Sequence, residues 1–298
     1  MRIRKKEKRV ETTVTALRRH VGMLAGGIGP RAPSQGDGLE RAEAYVRAEL
    51  QAAGLEVAEQ AYDWQDGRVA NLIATVAGSA QDPSRPYYVV GAHYDSIAAS
   101  PGADDNASAV AVLIELARKV AAAGAPVPVR FVAFTMEELP AFLTRKQGSR
   151  VFIRAARAAG EKILGAVVLE MVGFTSPRQS YPLALRLAGY PPAGNFIGIV
   201  ANRRSRGFGR AIEQGFRRNE GLPVESLSVP ANGWLLPATR LSDHSSFWDQ
   251  GIPAVMVTDT AFFRNPNYHL ASDTPDTLDY AFMAELVTSL QHALGELP

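Results

Sequence analysis

Six near-continuous apolar runs, interleaved with segments of helical character, limit what this chain can fold into more than any other feature. The runs are "ANLIATVAG" (70–78), "YYVVGAHYDS" (87–96), "VRFVAFT" (129–135), "GAVVLEMVGF" (165–174), "NFIGIVAN" (195–202) and "PAVMVTD" (253–259). They are rich in β-branched and aromatic residues and bounded by Gly, Pro and Ser, as strands are. Helical spacing occupies 38–54, 107–124, 149–160, 207–218 and the stretch from about Ala281 to Leu294. The second of these, "ASAVAVLIELARKVAAAG", is apolar on most faces and therefore needs burial against a sheet. Strands without a solvated face, alternating with helices, predict an α/β fold whose mostly parallel sheet is covered on both sides. The segment 220–242 reads as a long irregular connection, and such loops are commonly functional. No internal repeat interrupts the pattern, so one domain in three layers is expected over residues 1–298.

Composition excludes several kinds of chemistry. The 298 residues include no cysteine, which removes disulfides, thiolate nucleophiles and Cys-bound metal together. Any metal must be held by His, Asp and Glu. The formal net charge is +2, and neither it nor any apolar run of membrane-spanning length points to a nucleic-acid or membrane partner. The basic start "MRIRKKEKRVETTVTALRRHVG" lacks the apolar core of a secretory signal, so a cytoplasmic location is the expectation.

In open α/β sheets, ligands sit beyond the carboxyl ends of the strands. The polar residues at those ends are His93 and Asp95; Asp104 and Asp105 of "GADDN"; Glu137 and Glu138; Glu170; Asp243 and His244; and His269 with Asp273. Singly, each has an ordinary explanation. One aspartate of "GADDN" reads as a cap for the helix that follows, and a Glu-Glu pair is usually a solvated turn. Their convergence on one end of the sheet is not ordinary. His20 and His292 fall on helices without polar company and read as surface residues, and "RRSRGFGR" (203–210) reads as a solvated basic face.

The motifs "GAHYDS", "GADDNASAV", "EE" after a strand, "LEMVGF", "SDHSSFW" and "YHLASDTPDTLD", in that order from about residue 40 to 290, resemble the zinc-dependent aminopeptidases, a family that also includes glutaminyl cyclases. The resemblance implies a three-layer α/β/α sandwich around a mixed, mostly parallel sheet, with 1–37 as a basic lead-in and 40–290 as the catalytic core. It implies two Zn²⁺ ions with His93, Asp105, Glu138, Glu170 and His269 as ligands, Asp105 bridging and the peptide bond after it cis. Glu137 takes the place of the general base. Asp95 is placed against His93 from behind, and Asp243 and His244 are placed at the edge of the site. The chain departs from the family pattern twice. Glu170 stands where an aspartate is usual, and "LPAFLTRKQGS" (139–149) is longer than the usual run, which suggests a flap.

The chemistry explains why these residue types belong together. A shared carboxylate can address one cation with each oxygen, and two-metal sites activate a water between them. A carboxylate just outside the ligand set can then carry the proton. Adjacent glutamates suit this, because successive side chains diverge and can divide the two roles. The implied activity is removal of N-terminal residues from peptides or small aminoacyl substrates. Two alternatives are a single-zinc glutaminyl cyclase and a non-catalytic binding domain of the same fold.

Overall fold

The computed structural model describes residues 2–65, 67–76 and 85–298. In chain order the elements are α1 (Arg2–Val21), α2 (Gly38–Ala52), β1 (Leu55–Trp64), β2 (Gly67–Val76), β3 (Tyr87–His93), α3 (Ala109–Ala123), β4 (Val129–Phe134), α4 (Gly148–Ala158), β5 (Ile163–Glu170), α5 (Leu183–Leu187), β6 (Ile197–Asn202), α6 (Arg206–Arg217), β7 (Val224–Val229), α7 (His244–Asp249), β8 (Ala254–Thr258) and α8 (Tyr280–Leu294). Eight strands form one sheet in the order β1-β2-β4-β3-β5-β8-β6-β7. The central β4-β3-β5-β8 run and the β6-β7 pair are parallel. The β1-β2, β2-β4 and β6-β8 pairs are antiparallel.

Burial explains the layering. Strands β3 and β8 are buried at every position, so both sheet faces must be covered. One face packs against α1, α2, α3, α6 and α8 through residues such as Leu17, Val46, Leu113, Phe216 and Leu290. The other packs against α4 and α7 through Phe152, Phe247 and Trp248. The expected α/β/α sandwich is therefore present. Among the described residues no helix is long and apolar enough to cross a membrane.

The structure corrects the sequence reading at the sheet edges. Residues 220–242 are not wholly irregular, because Val224–Val229 adds edge strand β7 alongside β6. Its buried ends flank Glu225, Ser226 and Ser228, so it lacks the continuous apolar signature of the inner strands. Strand β1 at the other edge alternates in burial for the same reason. The run expected over 70–78 is observed as far as Val76, and residues 77–78 lie outside the described residues.

Two further expectations fail. His20 is not a surface residue: it is fully buried, with Nδ1 2.8 Å from the Tyr45 hydroxyl and Nε2 3.1 Å from Glu115 Oε1. Its helix packs the Leu17–Val21–Leu24 stripe into the core, which carries the imidazole inward. Nor does an aspartate cap α3, which begins without any side-chain cap; Asp104 is engaged elsewhere.

Candidate metal centre

Most of the clustered side chains arrive on a strand end or on the turn after one. Strand β3 ends in His93, and Asp95 follows two residues later. Strand β4 ends at Phe134, and the chain turns through Met136, whose φ is 59°, before Glu137 and Glu138. Strand β5 ends in Glu170. Asp105 lies in the helical turn Ala103–Ser108, and the Asp105–Asn106 peptide bond is cis. His269 comes from the loop after β8, with a φ of 60°.

These side chains form two triads that share one residue. His93, Asp105 and Glu170 form the first; Asp105, Glu138 and His269 form the second; within each, the ligand atoms lie within 4.8 Å of one another. Asp105 Oδ1 is 3.4 Å from His93 Nε2, and its Oδ2 is 3.1 Å from His269 Nε2. Each carboxylate oxygen thus faces a different histidine, the arrangement of a bridge. Glu170 Oε2 is 3.5 Å from His93 Nε2, and Glu138 Oε2 is 3.5 Å from His269 Nε2. Glu137 lies slightly further out, with Oε2 3.8 Å from His93 Nε2. The adjacent glutamates therefore address opposite halves of the site.

The backbone around these groups is tied down by buried polar side chains. Asp95 accepts from the amides of Glu137 and Glu138 at 3.2 and 3.1 Å and stands 3.5 Å from His93 Nδ1. One carboxylate thus positions three site residues. Asp273 does the same for the bridge, accepting from the amides of Asp104 and Asp105 at 2.9 and 3.1 Å. Asn106 clips this loop to the end of β5, accepting from Met171 N and donating to the Leu169 carbonyl. Asp104 accepts from Gly173 N and from Asn265 Nδ2. Beneath all of them lies Arg31, fully buried, which donates to the carbonyls of Tyr94, Leu24, Gly29, Pro101 and Gly102.

The two edge residues part company. Asp243 is fully buried, accepts from Gln147 Nε2 at 3.0 Å and leaves Oδ2 without a partner. Burial pushes its carboxyl up to about 7, and the charge of Asp95 adds to the rise. His244 is turned away from the site. Its Nε2 faces the Thr239 carbonyl at 2.8 Å, and its ring meets Trp248 edge-on. Burial pulls it down to about 4. Placement at the head of α7 is what carries it out of the cluster, since the helix sends successive side chains in different directions. The 139–149 stretch turns tightly with Leu139 and Leu143 exposed and then enters α4, and its buried Gln147 and Ser149 both reach Asp243.

Sequence reasoning passed over Arg31, Asn106, Gln147 and Ser242, whose hydroxyl donates to Glu170 Oε2 at 2.6 Å. Glycine and proline around "GGIGPRAP" (26–33) and an arginine among them signal a sharp backbone path. Nothing local, however, says what the guanidinium meets.

The cluster fits a metal ion on three counts. Its donors are imidazole nitrogen and carboxylate oxygen, the set that suits zinc and similar ions in the absence of thiolates. His93 Nε2, His269 Nε2 and Glu138 Oε1 are buried without a hydrogen-bond partner, so ligand atoms converge with nothing to bind them. Negative charge is also in surplus. Burial, reinforced by Asp105, pushes Glu138 up to about 7. For His269, burial alone would lower the imidazole, but Asp105 and Glu138 outweigh it and raise it to about 10. A bound cation reverses that logic.

A mixed α/β sheet with paired carboxylate–imidazole triads beyond its strand ends is a framework suited to holding metal. The chain belongs to peptidase family M28, which residues 71–293 match. It is 34% identical over 282 residues to the Escherichia coli (strain K12) protein YfbL, covering 91% of this chain and 84% of that one. It is 26% identical over 229 residues to a Trichophyton verrucosum protein named "Probable leucine aminopeptidase", but it spans only 54% of that protein's length. Its fold is similar to that of the Legionella pneumophila LapA aminopeptidase, with a TM-score of 0.72 and 18% identity over 97% of this chain and 73% of the other.

Proposed function

We propose that this chain is a single-domain zinc-dependent aminopeptidase with two ions per site. His93, Asp105 and Glu170 would hold one ion, and Asp105, Glu138 and His269 the other. The observation that carries this reading is the bridge, a single carboxylate with one oxygen toward each histidine. When bound, the ions would polarise the scissile carbonyl and acidify the attacking water. Glu137 belongs to neither triad and has Oε2 3.8 Å from His93 Nε2. It takes the proton from the water as the water oxygen bonds to the carbonyl carbon. It then returns that proton to the departing amine as the carbon–nitrogen bond breaks. Burial and the neighbouring carboxylates already hold Glu137 well above the usual carboxylate range. The acidic surplus suits a protonated α-amine, which favours exopeptidase over internal cleavage. Asp95 keeps both glutamates in place.

The test is Glu137→Gln in zinc-loaded protein, assayed on aminoacyl 4-nitroanilides and on peptides with N-terminal Gln. Turnover should fall roughly 10²–10⁴-fold with zinc content unchanged. Undiminished hydrolysis would remove Glu137 from the chemistry. Cyclisation of N-terminal Gln without hydrolysis of any aminoacyl substrate would overturn the aminopeptidase reading in favour of a cyclase.

A further inference from the structure

A cleft opens beside Glu170 and runs over the β5-β8-β6-β7 side of the sheet. Its floor is one transverse row of that sheet. Glu170 pairs with Thr258, Thr258 with Gly198, and Gly198 with Glu225, and all four line the cleft. Three strand spacings separate the ends of the row, about 14 Å at ~4.8 Å each. The walls are apolar and aromatic, with Tyr181, Tyr190, Phe196, Leu227, Phe263 and Tyr268 among them. Tyr268 stacks on His269 with ring centroids 3.8 Å apart, so the cleft and the second triad share a wall.

Two features of the cleft do not fit a purely apolar occupant. Glu225, half-buried on edge strand β7, ends the row with a carboxylate that makes no hydrogen bond or ion pair among the described residues. It lines the cleft together with Tyr181 and Tyr190, and its charge adds to the effect of burial on both phenols. The Tyr181 hydroxyl is itself buried without a hydrogen-bond partner. Arg264, which lies behind Phe196 with its guanidinium 4.5 Å from the ring centroid, does not neutralise Glu225. It donates to Gln179 Oε1 and the Phe174 carbonyl, and Asp259 and Asp104 meet its charge, although its Nη2 is buried without a partner and its charge also reaches Tyr181.

Gly198 supplies the depth. It is the one floor position without a side chain. A Cβ there would meet the Thr258 carbonyl oxygen at 3.4 Å and nothing closer, so its absence opens the passage between Thr258 and Glu225 rather than relieving a clash.

Resting on the aminopeptidase reading, we infer that this cleft takes the side chain of an N-terminal lysine or arginine. The aliphatic stem would lie along the aromatic walls, and the cationic head would lie at Glu225 and the Tyr181 hydroxyl. Lysine and arginine stems bury their methylenes while their heads seek polar partners, and aromatic faces attract the cation as well. A site built to meet a polar group discriminates strongly against an isostere that lacks it, because its own buried group is then left unpaired.

Lysine and norleucine 4-nitroanilides are the informative pair, being near isosteres that differ in the charge. In zinc-loaded wild type, kcat/KM for Lys and Arg should exceed that for norleucine by at least about tenfold, and Glu225→Gln should abolish the preference. A Gly198→Leu variant should lower kcat/KM for Arg more than for Ala by filling the floor. If norleucine is cleaved as well as lysine in wild type, the cleft inference falls while the aminopeptidase reading stands. If no aminoacyl substrate is cleaved, that reading falls, and calorimetry with n-butylguanidinium then judges the cleft alone. Binding at least tenfold weaker in Glu225→Gln supports the cation site, and equal or absent binding overturns it.

Discussion

Replacing Arg31 by Met should be the most damaging single change outside the acidic cluster. The guanidinium makes five hydrogen bonds to backbone carbonyls, at 2.6–3.3 Å. At ~1.5 kcal/mol for a bond to a charged group, these contribute about 7 kcal/mol. Against this stands the cost of burying the cation, which outweighs the attraction of Asp95, Asp105, Asp273 and Glu138 and pulls Arg31 from 12.5 down to about 10, a net effect of about 3 kcal/mol. The balance, about 4 kcal/mol, agrees with what removing one partner from a buried charged network costs. It corresponds to a fall in Tm of about 10 °C for a chain of this size. The guanidinium also faces Asp95, Asp105, Asp273 and Glu138, so its removal leaves their repulsion less compensated. Zinc supplies replacement positive charge, and the deficit should therefore be larger in chelated than in zinc-saturated protein. Urea unfolding of wild type and Arg31→Met in both states measures this. A loss below about 1 kcal/mol in the chelated form, or an equal loss in both forms, would refute the reasoning.

Two further outcomes are expected. Glu170→Ala should empty one metal position selectively, leaving near one zinc per chain by mass spectrometry or atomic absorption and much reduced hydrolysis; two tightly held ions would exclude Glu170 as a ligand. His244 is held neutral at about 4 in the folded chain against 6.5 unfolded. The unfolded state therefore binds more protons between those values, and this group costs about 3 kcal/mol of stability as pH falls from 6.5 to 4. Denaturant titrations of wild type and His244→Asn across that range should show a shallower acid slope in the variant.

The core of the sheet could be read from sequence because its strands are buried on both faces and therefore carry uninterrupted apolar runs. The carboxylates and histidines could be read from where those runs end. The edge strands could not. In β1 and β7 exposed positions interrupt the buried ones, so Glu56, Glu59, Ser226 and Ser228 dilute the signal to that of a loop. Arg31 was illegible as a site residue for a different reason. Three of its five acceptors, the carbonyls of Tyr94, Pro101 and Gly102, lie 63, 70 and 71 positions away in sequence, and no local pattern records them. His20 failed similarly. Its burial depends on Glu115 and Tyr45, which lie on two other helices. The departure at Glu170 was absorbed without displacing the residue from the triad, with the Ser242 hydroxyl bracing the longer side chain.

The two triads draw on residues from position 93 to position 269, delivered by β3, β5, the turn after β4, the loop before α3 and the loop after β8. The first triad is complete within residues 93–170, whereas the second needs His269 as well. On the proposed reading, the second position would therefore form only after the loop that follows β8 has docked, and an ion held there would be linked to the folding of the sheet from β3 to β8. Loss of that loop alone would empty one position and spare the other, so metal stoichiometry would report which part of the molecule has come apart.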